Sequence, residues 1–264
     1  MSRVLAAKGK DITKRTLMVL EKLSPRLPRK GSKILIKPNL VEPMPRYSGA
    51  ITRPEVIEAI IQFFGDRNYK IYVGEGAAIL DTSKCFQKAG YLHLQRKYNI
   101  KIVDLNQGGF IKMGTNGRYW REFEVAGILK EVDYLISAAV LKQHSFQVTL
   151  CLKNIMGVLK PGPRYPVKSY MHREDNMEIW AQRLMDLIFK VKPNLGVIDA
   201  TTGMFGSHLS GRLKKFDITL VSEDVLACDI VGAKFLGYER VLHLDLALER
   251  KLGRKPSRVE SIMV

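Results

Sequence analysis

The chain has 264 residues, 46% of them hydrophobic and 26% charged, with a formal net charge of +17. That composition excludes a disordered chain, and no apolar run approaches the roughly 18 residues that a membrane-spanning helix needs. The start, Met1-Ser-Arg-Val-Leu-Ala-Ala-Lys8, lacks the apolar core of a signal peptide.

Strand and helix patterns alternate along the chain. They predict an α/β fold: a layered, mostly parallel sheet with helices on both faces and a small β-hairpin insertion. Asp11 caps a first helix ending near Leu23, and a basic, Pro-rich linker runs from Ser24 to Gly31. Lys33–Ile36 reads as a strand. Pro54 then opens a helix with the apolar stripe Val56, Ile57, Ile60, Ile61 and Phe64. Lys70–Val73 is the second strand, Thr82 or Ser83 caps the next helix, and Ile100–Leu105 is the third strand. Phe110–Val125 reads as a hairpin turning at Thr115-Asn116-Gly117. Tyr134–Leu141 is a fourth, buried strand. Phe146–Leu159 has helical spacing, with Ser145 as its cap, and a long amphipathic helix follows from about Glu174 to Val191. Leu195–Asp199 and Phe216–Val221 are strands, Asp224 caps a helix through about Phe235, and a last helix is expected in the basic tail. The whole of 1–264 reads as one α/β domain, with 140–173 at a seam between two lobes.

Polar residues follow each strand in turn: Lys37, Pro38 and Asn39; Gly74, Glu75 and Gly76; Lys142 and His144; Asp199, Thr201 and Gly203. In a mainly parallel sheet these ends share one edge, where open α/β proteins bind their ligands. Between Lys142 and Arg173 there is no Asp or Glu, but there are Lys142, Lys153, Lys160, Arg164, Lys168, Arg173, His144 and His172. An ordinary surface mixes both signs of charge. Thr149, Lys153 and Gly157 recur at four-residue spacing, a face suited to a carboxylate or phosphate. His144 and His172 are candidates for acid/base partners or for two metal ligands, the first role ranking higher because 28 residues is no recognised metal-ligand spacing. A glycine-rich loop, Gly203 to Gly211, carries Ser207, His208 and Ser210.

These readings give catalytic candidates His144, His172, Glu75 and Asp199. The ligand-binding candidates are Lys37, Asn39, Lys142, Thr149, Lys153, Asn154 and Arg164. The expected partner is an anionic small molecule bound by a cytoplasmic enzyme. The competing partner is RNA or DNA: residues 1–33 hold ten Lys/Arg against two acids, and 250–258 hold five and none. The three cysteines form no CxxC pair, so no Cys-ligated iron–sulfur cluster is expected from this chain alone.

The segments Ile36-Lys-Pro-Asn-Leu40, Thr52-Arg-Pro-Glu55, Val73-Gly-Glu-Gly76, Lys142-Gln-His144 and Thr149 through Lys153-Asn-Ile-Met-Gly157 resemble the "domain of unknown function 362" family. So do Asp199-Ala200 with Gly203-Met204, and Ser222-Glu-Asp224 with Asp229. The resemblance implies a fold and a site, not a reaction. Many members of that family carry a Cys-rich iron–sulfur segment, which this sequence lacks. His144, Lys153, Pro161-Gly162 and His172 are also similar to the lactate-racemase family, a likeness that implies a nickel-type cofactor held by a lysine and histidines. The Gly-Gly stretch that precedes the lysine there is missing here.

Overall fold

The computed structural model describes residues 2–65, 67–117, 119–172 and 176–264. Its elements run β1 (Arg3–Lys8), α1 (Ile12–Leu23), β2 (Lys33–Lys37), α2 (Pro54–Gly65), β3 (Lys70–Glu75), α3 (Ser83–Ala89), α4 (Leu92–Lys97) and β4 (Ile100–Asp104). The hairpin β5 (Phe110–Gly114) and β6 (Glu122–Ala126) precedes β7 (Tyr134–His144), β8 (Gln147–Thr149) and α5 (Cys151–Asn154). Then come α6 (Met177–Lys190), β9 (Leu195–Phe205), β10 (Arg212–Ser222), α7 (Val225–Phe235), α8 (Leu242–Glu249) and β11 (Arg258–Met263).

The main sheet has the order β11-β1-β10-β9-β7-β2-β3-β4, with β8 folded back on β7. From β9 to β4 every neighbouring pair is parallel, while β10 is antiparallel to both β9 and β1. The result is the expected layered α/β sheet, mostly parallel, with the β5–β6 hairpin as a separate small sheet. Two apolar layers cover its faces. One is built from α1, α2, α3 and α4, the other from α5, α6, α7 and α8. The stripe expected on α2 is buried throughout, from Val56 to Phe64. Asp11 and Asp224 cap α1 and α7 by accepting from Lys14 N and Ala227 N.

Three local expectations are corrected, and one strand has no counterpart in the sequence reading. Val4 to Ala7 form a buried central strand, β1, paired with β10 more than two hundred residues away. The basic tail is no helix: β11 takes the free edge of β1 in parallel. Phe146–Leu159 is not one helix either. His144 pairs with Gln147 across a tight turn, Gln147 taking the left-handed φ of 65°, before α5 and a 3-10 turn at Ile155–Val158. Its apolar residues are buried, but by strand, helix and turn in succession. Finally, β9 continues to Phe205, so Asp199 lies within the strand opposite Val140 and not at its end. The expected start of α6 at Glu174 lies outside the described residues; among those, Asn176 is the cap.

Candidate active site

Lys37 and Glu75 are the last residues of β2 and β3, two neighbouring parallel strands. Their side chains meet beyond the sheet edge. Lys37 Nζ lies 2.5 Å from Glu75 Oε1, and the two side chains are 1% and 3% exposed. Lys37 also donates to Asn154 Oδ1 at 3.0 Å and Pro38 O at 3.1 Å. Burial pulls the Lys37 ammonium below its ordinary pKa, against the attraction of Glu75. Glu75 accepts two further hydrogen bonds, from Gly76 N (2.8 Å) and Leu40 N (2.9 Å). Asn154 is equally committed: its Oδ1 takes Asn39 Nδ2, and its Nδ2 donates to Lys37 O and Ser137 Oγ. This network forms the floor of a cavity of about 400 Å³.

Gly157 closes down on the floor. A Cβ there would stand 2.3 Å from Glu75 Oε1 and 2.6 Å from Lys37 Nζ, so no side chain fits without displacing the ion pair. Gly157→Ala is expected to cost about 1–3 kcal/mol through overpacking, read as a lowered denaturant midpoint at unchanged slope. A change within experimental error would show that the turn is free to move.

The wall of the cavity is set by α5. Its short helix is held by Asp229 of α7, whose carboxyl accepts from Cys151 N and Leu152 N, each at 2.8 Å. Burial pushes the Asp229 carboxyl up to about 7 despite these bonds. The clamp fixes Lys153, which is 8% exposed and lines the cavity. Among the described residues Lys153 has no hydrogen-bond or ion-pair partner; its Nζ lies 5.8 Å from the centre of the Trp180 ring. Burial lowers it to about 7.

Facing Lys153 are three imidazoles. His144 lies 4.4 Å from His208 and 5.8 Å from His172, ring centre to ring centre, and His172 stacks on Trp180. Burial and the neighbouring Lys153 pull all three down: His144 far below its usual range, His172 to about 3 and His208 to about 4, where Lys142 adds to the effect. They are neutral near pH 7. His144 Nδ1 accepts from Phe146 N at 3.0 Å. Lys168 enters from the segment after the Pro161-Gly162-Pro163 turn. It donates to Asn106 Oδ1 at 2.8 Å and to Leu159 O, and burial lowers it to about 7.

Of the sequence candidates, Lys37, Asn39, Glu75, His144, Thr149, Lys153, Asn154 and His172 line this one cavity. Three do not. Asp199 is buried beneath Arg53, accepting from Arg53 N (3.0 Å), Arg53 Nη1 (3.2 Å) and Thr201 Oγ1 (2.5 Å). Burial alone would raise its carboxyl, but Arg53 and these hydrogen bonds outweigh it and hold the pKa low. Lys142 is fully buried and donates to Ala50 O at 2.6 Å, away from the cavity surface. Arg164 is exposed on the turn. His208, Lys168 and Phe146 line the cavity but were not singled out. The acid-free stretch pointed to Lys168, and the glycine-rich loop to His208.

Compared with known proteins, residues 34–234 match the family described as Domain of unknown function (DUF362). The chain belongs to that family. A curated relative of this DUF362 protein is the "thylakoid-associated protein sll1697" of Synechocystis sp. It is 25% identical over 234 residues, 87% of this chain and 71% of the relative. Among solved structures, the lactate racemase apoprotein of Thermoanaerobacterium thermosaccharolyticum superposes with a TM-score of 0.51 at 16% identity. The superposition covers 88% of this chain and 56% of the racemase, a likeness of fold. No helix among the described residues of the DUF362 chain is long and apolar enough to cross a membrane.

The nickel-type cofactor that the racemase likeness implies can be tested on the donors. Three lysines and three imidazoles line the cavity. Yet among the described residues no three His, Cys, Asp or Glu side chains converge as a metal site, and His144 Nδ1 is already engaged by a backbone N–H. The side chains as placed do not form a ligand set, and no chemical step is derived through a metal.

Proposed function

We propose that the cavity is the active site of an enzyme acting on an anionic small molecule, a carboxylate or a phosphorylated compound. The observation that carries this reading is Lys153, a buried cation lining a cavity with no counter-charge among the described residues. A buried charge needs a partner, and such a site is completed by an anion from outside. Lys168 adds a second ammonium with donor capacity to spare, since Asn106 and Leu159 take two of its three protons. Unsatisfied polar atoms support the same reading. Asn39 Oδ1 and Thr149 Oγ1 are buried at the cavity without partners among the described residues. They orient the ligand. The neutral imidazoles of His144, His172 and His208 accept and return protons, because a bound anion raises their pKa toward neutrality. Glu75, with both oxygens committed, is a positioning group. The solved relative of this fold is named for a reaction on a small carboxylate, which agrees with this reading.

Thermal melts with inorganic phosphate, acetate and citrate test it. A ligand present at about 100 times its Kd adds about 2.7 kcal/mol to stability. The affinity has a definite pH dependence. Lys153 and Lys168, the two lysines offered to the anion, carry charge below about 7 and lose it above. Anion binding therefore weakens as pH rises through 7, by about tenfold per pH unit for each linked proton. Flat affinity between pH 6 and 8.5 would contradict it. If small anions leave the melt unmoved while an oligonucleotide binds and is released steeply between 50 and 200 mM salt, the basic surface is the functional one.

A further inference from the structure

Four lysines are buried in or beside the cleft, and three are committed. Lys37 is held by Glu75 and Asn154, Lys142 by Ala50 O, and Lys168 by Asn106 and Leu159 O. Only Lys153, among these four, has its amine unclaimed. Lys142 and the neutral imidazoles His144, His172, His208 and His243 feel its charge, and the ring of Trp180 lies 5.8 Å from its amine. No carboxylate among the described residues contributes to its titration. A desolvated lysine beside another cation is an activated nucleophile, because its free base is populated near neutral pH. In keeping with this, burial brings Lys153 to about 7.

We propose that Lys153 forms a reversible imine with a carbonyl compound that also bears an anionic group, such as a 2-oxo acid or a phosphorylated aldehyde. This deepens the preceding reading and rests on it. The anionic group is held by the ammonium of Lys168, and the carbonyl carbon meets Lys153 Nζ. The nitrogen lone pair forms the C–N bond while the carbonyl π pair moves onto oxygen, which takes up a proton. The nitrogen gives up a proton to leave a neutral carbinolamine. Its hydroxyl takes a second proton, the C–O bond breaks and water leaves as the nitrogen lone pair forms the C=N bond, and the nitrogen gives up its second proton. Nothing is oxidised or reduced. The imidazoles opposite Lys153 carry the protons, and the unpartnered Thr149 Oγ1 and Asn39 Oδ1 offer hydrogen-bonding positions to the hydroxyl of the carbinolamine.

The test is reductive trapping on the full chain. The protein is incubated at pH 7 with pyruvate, glyoxylate or pyridoxal 5′-phosphate together with cyanoborohydride, then analysed by intact mass and peptide mapping. The expected result is one adduct per chain, on the peptide carrying Lys153. It should be slowed by inorganic phosphate, unaffected by replacing the exposed Lys160 (Lys160→Arg), and reduced at least tenfold by Lys153→Arg. Adducts scattered over exposed lysines with no excess at Lys153 would overturn the proposal. A parallel melt of the wild-type protein with phosphate separates the two readings. Phosphate binding without an adduct at Lys153 sinks the imine alone; absence of both sinks the anion-binding cleft as well.

Discussion

Glu75→Ala is expected to lower the free energy of unfolding by about 3–5 kcal/mol, the usual cost of removing one partner from a buried ion pair. The ammonium of Lys37 would be left in a site 1% exposed, with only the oxygens of Pro38 and Asn154 for company. Two backbone donors, Leu40 N and Gly76 N, would lose their acceptor at the same time. Adding Lys37→Met should restore a substantial part of the loss, because the uncompensated charge is then gone. Denaturant melts of the two single variants and the double variant check this. Single effects below about 1 kcal/mol that simply add would show that the pair is not what holds the three chain segments together.

The second large effect has opposite signs on stability and on binding. Lys153→Met removes a buried cation that has no counter-charge among the described residues, so the ligand-free protein should be as stable as the wild type or more so. Phosphate affinity should fall by about 10- to 100-fold, the worth of a charge-assisted hydrogen bond. There is a pH signature as well. In the folded chain Lys153 titrates near 7, and its ordinary value is 10.5. Between those values the unfolded chain binds more protons than the folded one, so wild-type stability rises with pH across this window. Lys153→Met should flatten part of that rise. Melting curves from pH 6 to 10, with calorimetric titration of phosphate into both proteins, check all three. A variant that is less stable yet binds phosphate as tightly as before would make Lys153 a packing residue.

The parts of the molecule legible in the sequence were those specified locally. The apolar stripe of α2, the caps Asp11 and Asp224 and the buried run of β7 each obey a short-range rule, and all were in place. The polar residues following β2, β3 and β7 followed from one topological premise, that parallel strands end together, and Lys37, Glu75 and His144 share a cavity. The premise fails where the strand does not end. Asp199 sits in the middle of β9 because β10 pairs with that strand out to Phe205, information held in Arg212–Lys215 and not near Asp199. β1 and β11 were illegible for the same reason, since each is defined by a partner far along the chain. The helical spacing of Phe146–Leu159 misled because residues buried on every side mimic an amphipathic stripe. Thr149 and Lys153 still meet in the cavity, one from β8 and the other from α5. The contribution of Trp180 needed three dimensions: it is 1% exposed in a helix that reads as ordinary core. His208 was signalled by its glycine-rich loop, but its place beside His144 was not.

The most direct test of the anion-binding site is a crystal structure of the wild-type protein grown with phosphate at pH 6.5. The account predicts a tetrahedral anion inside the cavity, within about 2.7–3.2 Å of Lys153 Nζ, with its other oxygens turned toward Thr149 and the imidazoles. A cavity holding only water, with phosphate bound instead among the exposed lysines and arginines, would contradict it.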